Sequence, residues 1–139
     1  MAWAGVLFGV SEQKSGHFGR AYDAGTAPTL GTHAYRAPMP LALNQFALGG
    51  RWTIADQAAT AGLGATIDAN VQARFIYLVL SPPPGRAGYV SVRLDHGPVR
   101  TVRVTNQRLY ELAGPGTNGR HLLHLAFGEG TAAYAFTFG

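Results

Sequence analysis

Side chains able to do covalent chemistry are few in this chain and widely spaced. Its 139 residues contain seven carboxylates, and no two share a predicted strand face at a spacing that would pair them for acid–base work. The stretch Asp95-His96-Gly97-Pro98 has turn composition, which explains Asp95 without a catalytic role. None of the four serines stands in a glycine-flanked nucleophile turn. We therefore predict a protein that is not an enzyme and has no catalytic residues.

The sequence HLLH contains the most suggestive metal-ligand candidates, His121 and His124. On a strand, residues an odd number of positions apart face opposite sides, whereas ligands of one ion must share a side. The chain has no cysteine, which excludes disulfides, thiolate metal sites and redox chemistry by its own residues. The glycine-rich GPGTNG is not followed by a helix or a Lys-Ser/Thr pair, so we interpret it as a loop. We predict no metal and no other cofactor.

A surplus of aromatic rings beside amide and guanidinium groups is the remaining chemical signal. Rings can pack on the apolar faces of sugars while amides and guanidinium groups bind the hydroxyls. We predict that Trp52 and Tyr77 stack on the ligand and that Asn44, Arg51 and Arg108 hydrogen-bond to it. Tyr110 is a further aromatic candidate. A structural role stays open for each of them: Trp52 as a core plug, and Tyr110 as a core residue beside Leu112.

The elements that must position these residues are short strands. Nineteen glycines and eight prolines interrupt the apolar runs, and no stretch of twelve residues has a helical period. The stretch YVSVRLDHGPVRTVRV alternates on both sides of the 95–98 turn and predicts a hairpin. About ten such strands indicate an all-β fold, an antiparallel jelly-roll β-sandwich forming one domain over residues 1–139.

The run from residue 74 to 81 is apolar on both faces, with Phe75, Tyr77 and Val79 on one of them. A strand in a two-layer sandwich buries only one face in the core. The other requires a covering segment, for which residues 11–28 are the internal candidate, or a ligand, or another subunit. With only 13% charged residues to oppose association, we predict a homo-oligomer through the Phe75/Tyr77 face.

Charge and hydropathy exclude two classes of partner. The net charge is 11 − 7 = +4, but the basic residues are scattered along the chain. Only Arg93, Arg100 and Arg103 lie close together, and we interpret them as the solvent face of the predicted hairpin, so no nucleic-acid interface is predicted. No apolar run reaches the roughly 18 residues of a membrane span. The start, MAWAGVLFGV, lacks the basic segment and cleavage site of an export signal, so none is expected.

Several stretches together resemble a known family. LALNQFALGGRWTIADQAAT, ARFIYLVL, VRLDHGPV, QRLYEL and the ending AYAFTFG are similar to the C-terminal β-sandwich domain of DipZ-type thiol-disulfide proteins. The resemblance covers residues 6–139. It implies a fold like that of carbohydrate-binding modules, a thioredoxin-like domain as neighbour in the native context, and an extracytoplasmic location. Positions 75 and 77 are often polar in that family, which implies that the alternate residues Ile76, Leu78 and Leu80 face the core.

The function that these observations favour is a non-catalytic binding module whose ligand is an oligosaccharide. The alternative is a structural or self-assembling jelly-roll module that binds other proteins or copies of itself and takes no small ligand. Trp52 and Tyr77 distinguish the two hypotheses, because a stacking ring must be accessible and a core ring must be buried.

Overall fold

A computed structural model describes residues 2–6, 30–36, 40–41, 45–55, 58–72, 74–114 and 119–138 of the chain. These residues contain eleven strands and no helix, which confirms the all-β prediction. The predicted ligand residue Asn44 and the predicted covering segment 11–28 lie outside the described residues. In chain order the strands are β1 (Ala2–Val6), β2 (Gly31–Tyr35), β3 (Gln45–Ile54), β4 (Ala59–Ala61), β5 (Thr66–Gln72), β6 (Ile76–Ser81), β7 (Gly88–Leu94), β8 (Val99–Val104), β9 (Arg108–Ala113), β10 (Arg120–Phe127) and β11 (Ala132–Phe138).

The strands form two antiparallel layers that share β3. The front sheet has the order β8-β7-β10-β5-β3 and uses the first half of β3. The back sheet continues β3-β4-β11-β6-β9 from the second half of that strand. Strand β1 pairs with β11, and β2 pairs with the second half of β3. This arrangement is the predicted jelly-roll sandwich, with the core between the layers.

Strand β3 changes sheets at Gly49-Gly50, although a glycine pair normally indicates a break between elements. Residues up to Gly49 pair with β5, and those from Gly50 onward pair with β2. Gly50 has φ +74°, and a Cβ atom there would lie 2.0 Å from the carbonyl oxygen of Gly64. A side chain at position 50 would therefore clash, and glycine allows one continuous strand to bend from the front sheet into the back sheet.

The two-residue alternation of apolar side chains accounts for the core. On β6, Ile76, Leu78 and Leu80 are completely buried, which confirms the orientation that the family resemblance implied. On β3, Trp52 and Ile54 are buried while their neighbours are exposed. The inward faces of β5, β7 and β10 contribute the other half of the core, including Ile67, Val71, Val90, Val92, Leu123 and Leu125.

The β7–β8 hairpin confirms the predicted 95–98 turn and corrects one detail of its surface. Asp95 and His96 have φ values of 51° and 62°, and the Gly97 amide donates to the Leu94 carbonyl over 2.8 Å, as in a type I′ turn. Arg100 does not lie on the solvent face with Arg93 and Arg103. It stands opposite the buried Val92, and its guanidinium donates to the carbonyls of Glu111 and Leu112 at 3.1 and 2.5 Å. Arg100 thus links edge strands β8 and β9.

Candidate functional site

Trp52 lies in the core, and the prediction that its ring stacks on a ligand is wrong for this position. The side chain has no exposed surface. Its ring packs edge-to-face on Phe127 with centroids 5.0 Å apart, and Nε1 donates to the Gly49 carbonyl at 3.0 Å and to the Thr66 carbonyl at 3.3 Å. The ring therefore fills the space where β3 leaves the front sheet, and the alternative of a core plug is what the structure shows.

Tyr110 and Arg108 brace the start of β9. The Tyr110 hydroxyl donates to the Asn106 carbonyl at 2.8 Å and accepts from the amides of Thr105 and Asn106 at 3.1 and 3.3 Å. Burial raises the pKa of this phenol, but the hydrogen bonds from the Asn106 and Thr105 backbone outweigh it, so the pKa lies below its ordinary value. The Arg108 guanidinium lies 4.2 Å from the ring centroid and occupies one ring face. Both side chains are thus engaged in holding the β8–β9 connection.

Tyr77 and Arg51 lie on the outer face of the back sheet but three strands apart. Tyr77 is half-buried and stacks on Phe75, with centroids 6.1 Å apart and planes 7° from parallel. Arg51 is exposed on β3, and β4 and β11 separate it from β6. At the usual strand spacing of about 4.8 Å, this gap exceeds the reach of one monosaccharide. The predicted residues that the structure describes are therefore not gathered into one site.

A pocket of about 410 Å³ lies instead on the outer face of the front sheet. Five of its lining residues, Asp68, Asn70, Arg93, Leu122 and His124, alternate along their strands with core residues of β5, β7 and β10, so the pocket opens on the side of the sheet opposite the core. The volume is in the range of small-ligand sites. We call it the front-sheet pocket; its lining is Pro40, Leu41, Asp68, Ala69, Asn70, Arg93, His96, Leu122, Leu123 and His124.

A row of polar side chains crosses the front-sheet pocket on three adjacent strands. Asp68 of β5 and Arg93 of β7 stand on either side of His124 of β10 in the pairing register. His124 Nδ1 lies 2.5 Å from the Asp68 carboxylate, which is largely shielded, whereas the histidine side chain is about half exposed. The carboxylate therefore fixes the imidazole orientation and leaves Nε2 for another partner.

Asn70 forms the floor beside this row and is buried. Its amide Nδ2 donates to the Leu41 carbonyl at 2.8 Å, and its Oδ1 accepts from Arg120 Nε at 3.4 Å. The first bond holds residue 41 against the sheet, and the second fixes the orientation of the amide. Asn70 thus positions the pocket wall, and Leu122, which is 45% exposed, gives the pocket an accessible apolar surface.

A second histidine–carboxylate pair anchors the rim of the pocket. The Asp95 carboxylate lies 2.5 Å from His121 Nδ1 and accepts from the Leu122 amide at 2.8 Å. The hydrogen bond to His121, then that from Leu122, lowers the pKa of Asp95 below its ordinary value of 3.8. His121 stands opposite Val71 and His124 opposite Asp68, so the two histidines face opposite sides of β10, as predicted. Asp95 therefore attaches the β7–β8 turn to β10.

This arrangement can recognise a ligand by hydrogen bonds and charge. A histidine–carboxylate pair is also two thirds of a hydrolytic triad, but among the described residues no serine or threonine hydroxyl is hydrogen-bonded to His124. Within the same part of the chain, no group of three histidine or carboxylate side chains is arranged to hold a metal ion. No helix in the described ranges is long and apolar enough to cross a membrane.

Sequence reasoning did not find this pocket because its polar residues are far apart in the chain. Asp68 and His124 are separated by 56 residues, and Asp95 and His121 by 26. Each alone resembles an ordinary outward-facing residue of a half-buried strand. The only local signal was the odd spacing of His121 and His124, which places the two side chains on different faces but does not identify their partners.

The jelly-roll β-sandwich architecture of this chain recurs in solved structures. The chain is similar to two family two carbohydrate esterases, one from Cellvibrio japonicus with a TM-score of 0.59 and 18% identity, and one from Clostridium thermocellum with 0.59 and 19%. Each likeness covers 68% of this chain, and it covers 30% of the first esterase chain and 31% of the second. At such identities the comparison shows a shared fold.

The sequence defines the family more closely. Residues 13–139 match the family described as the thioredoxin like C-terminal domain, and the chain belongs to that family. It is 29% identical over 135 residues to the protein DipZ of Mycobacterium bovis and of Mycobacterium tuberculosis. The alignment covers 96% of this chain but 18% of DipZ, so the chain spans less than a fifth of the length of these relatives. The resemblance predicted from the sequence motifs is thereby confirmed.

Proposed function

We propose that this domain is a non-catalytic binding module and that its ligand is an oligosaccharide seated in the front-sheet pocket. The observation that carries the proposal is the row of Asp68, His124 and Arg93 beside the exposed Leu122. Sugars present hydroxyls around an apolar ring surface, and this lining offers charged hydrogen-bonding groups next to an apolar one. The proposed site replaces the one predicted from Trp52 and its neighbours.

The fold comparison supports this proposal. The Clostridium thermocellum esterase that shares the fold was solved in complex with cellohexaose, and the Cellvibrio japonicus protein is also a carbohydrate esterase. The proposal for the native context follows from the relatives named DipZ: a thioredoxin-like domain beside this module, in an extracytoplasmic compartment. In that setting the module would contribute binding, and chemistry would belong to its neighbour.

A glycan array followed by isothermal titration calorimetry tests the proposal. Saccharide binding is expected for the parent chain and is expected to fall about ten-fold or more in Leu122→Ala and in His124→Ala. Thr101→Ala is the matched control, because Thr101 is exposed on the front sheet but does not line the pocket. Melting curves of all variants verify folding. Absence of binding to any glycan at millimolar concentration would refute the proposal.

A second candidate function, self-association, is favoured by the outer face of the back sheet. Phe75, Tyr77 and Val79 are each half-buried among the described residues, and Leu109, the cross-strand partner of Val79, is 41% exposed. We call these four residues the back-sheet strip. Contiguous apolar surface of this kind marks interaction sites, and a closed ring or dimer is its simplest use.

Sedimentation at micromolar concentration tests self-association. The hypothesis expects an oligomer that Tyr77→Glu converts to a folded monomer of 14.7 kDa. Leu63→Glu is the control, because Leu63 is a similarly apolar residue, 73% exposed, in the turn after β4. A parent chain that is monomeric throughout, with unchanged behaviour in both variants, would contradict this function and leave the oligosaccharide proposal unaffected.

A further inference from the structure

We infer that the saccharide bound in the front-sheet pocket carries an anionic group, a carboxylate or a sulfate, which pairs with Arg93. The inference rests on the proposed function and specifies its ligand class. It follows from the charges that the lining leaves unpaired.

Neither of the two strands that pair with β7 places an acidic residue opposite Arg93. Its partners in the pairing register are His124 of β10 and Val99 of β8. Its side chain is exposed, and no ion pair or hydrogen bond joins its guanidinium to another described residue. A guanidinium offers two parallel N–H donors that match one carboxylate or sulfate. Arg93 therefore has its anion-binding edge available at the pocket.

The carboxylates near the pocket are already engaged. Asp68 lies against His124, and its side chain is only 14% exposed. Asp95 is bonded to His121 and to the Leu122 amide. Each carboxylate thus already has a histidine as a hydrogen-bond partner. The groups in the described lining that remain open to a ligand are the Arg93 guanidinium, the exposed His96 and the Nε2 atom of His124, and none of these is acidic.

The size and apolar part of the pocket argue for a saccharide that bears the charge and against a free inorganic anion. A carboxylate or sulfate alone fills only a small part of about 410 Å³. Leu41, Leu122 and Pro40 line the remainder and offer no hydrogen-bonding side chain. An anionic group on a sugar satisfies Arg93 while the ring occupies the apolar part, so both kinds of lining are used.

The test compares an acidic saccharide with its methyl ester, which lacks the charges and adds one methyl group at each carboxyl. Calorimetry at low ionic strength measures the binding of trigalacturonate and of its fully methyl-esterified form. The acid is expected to bind about ten-fold more tightly, and the difference is expected to shrink at about 0.5 M salt because the charges are screened. A sulfated galactose trisaccharide forms a third arm, and the tighter of the two acidic ligands identifies the anionic group.

Two variants assign the effect to the pocket. Arg93→Gln should remove the preference for the acid while keeping binding of the ester, and Arg103→Gln should keep both. Arg103 is the matched control, since it stands opposite Tyr89 on the same hairpin and lies outside the front-sheet pocket. Both side chains are exposed, so both variants should fold, which melting curves check.

The other outcomes of these experiments separate failure of the anionic inference from failure of the oligosaccharide proposal. Equal binding of the acid and the ester overturns the anionic inference and leaves the oligosaccharide proposal intact. An equal loss in Arg93→Gln and Arg103→Gln assigns the preference to general positive charge and also overturns the inference. If no ligand binds in these three arms while neutral glycans bind on the array, the inference alone fails. If no glycan binds in either experiment, the proposed function fails, and the inference fails with it.

Discussion

Replacing Trp52 by alanine is expected to destabilise the fold strongly and to affect no ligand site directly. Trp52 is completely buried, so its removal leaves a cavity between the sheets, and core Trp→Ala changes cost about 3–5 kcal/mol. Within that total, loss of the edge-to-face contact with Phe127 accounts for about 1 kcal/mol. The Gly49 and Thr66 carbonyls lose a donor at 3.0 and 3.3 Å, which accounts for about 1 kcal/mol more.

Urea unfolding followed by far-ultraviolet circular dichroism measures this loss, because the substitution removes one of the chain's two tryptophans and so changes the fluorescence signal itself. A loss of 4 kcal/mol corresponds to a melting temperature lower by about 10–20 °C in a domain of this size. Trp52→Phe is the control: it keeps an edge-to-face partner for Phe127 but removes the indole N–H, and is expected to cost about 1–2 kcal/mol. A stable Trp52→Ala variant that loses saccharide binding would refute the burial argument and restore the stacking hypothesis.

Three further predictions test the turns and sheet connections. Tyr110→Phe removes the hydroxyl that bonds to Asn106 and Thr105, and it should lower the free energy of unfolding in urea by about 1–2 kcal/mol. Arg108→Gln removes only a cation–π contact and should cost about 0.5 kcal/mol. Equal costs would contradict the larger role given to the hydroxyl. Gly50→Ala places a Cβ atom 2.0 Å from the Gly64 carbonyl oxygen and should lower the free energy of unfolding by several kcal/mol. Gly64→Ala is the control: its φ is +68° but the space around it is open, so it should cost about 1 kcal/mol. A well-folded Gly50→Ala protein would argue against the bend in β3. The pKa of Asp95 is lowered from 3.8, so the ionised carboxylate stabilises the fold. The stability difference between the parent chain and Asp95→Asn should therefore be full at pH values above 3.8 and should disappear as the pH falls through the folded-state pKa. A difference that stays constant down to pH 2 would show that the His121 and Leu122 bonds do not cause the stabilisation.

The strands were predictable because each buries one side. On β7 the apolar residues Val90, Val92 and Leu94 recur at every second position, and that alternation alone identifies the inward face. Strand β6 is apolar on both faces, so its inward face was predicted from the family resemblance instead. The β7–β8 hairpin was predictable from its Asp-His-Gly-Pro turn as well. The continuity of β3 was not, since Gly49-Gly50 normally indicates a break between elements. Only the close approach of Gly64 explains why glycine is needed within this strand.

The candidate site could not be predicted from local sequence patterns, and the physical reason is different. Aromatic residues suggested stacking, but an aromatic side chain on a strand is equally suited to a core, and burial depends on which face the strand turns inward. Tyr110 is on an inward face, and its hydroxyl is used by the preceding loop. The polar residues of the front-sheet pocket have no local sequence pattern that identifies them. They come together only because the strand order places β5, β10 and β7 side by side.

The two outer faces of the sandwich have different chemistry, and this difference makes the two proposed functions compatible. The front face carries the Asp68, His124 and Arg93 row, whereas the back face carries the Phe75–Tyr77 stack with Val79 and Leu109. The core lies between them, so a contact made on one face does not cover the other. A module attached to a neighbouring domain needs one surface for that neighbour and another for its ligand. An apolar strip suits a lasting protein contact, and a charged, partly apolar pocket suits an exchangeable ligand. On this reasoning we propose that the back-sheet strip faces a protein partner and that the front-sheet pocket stays open to a saccharide.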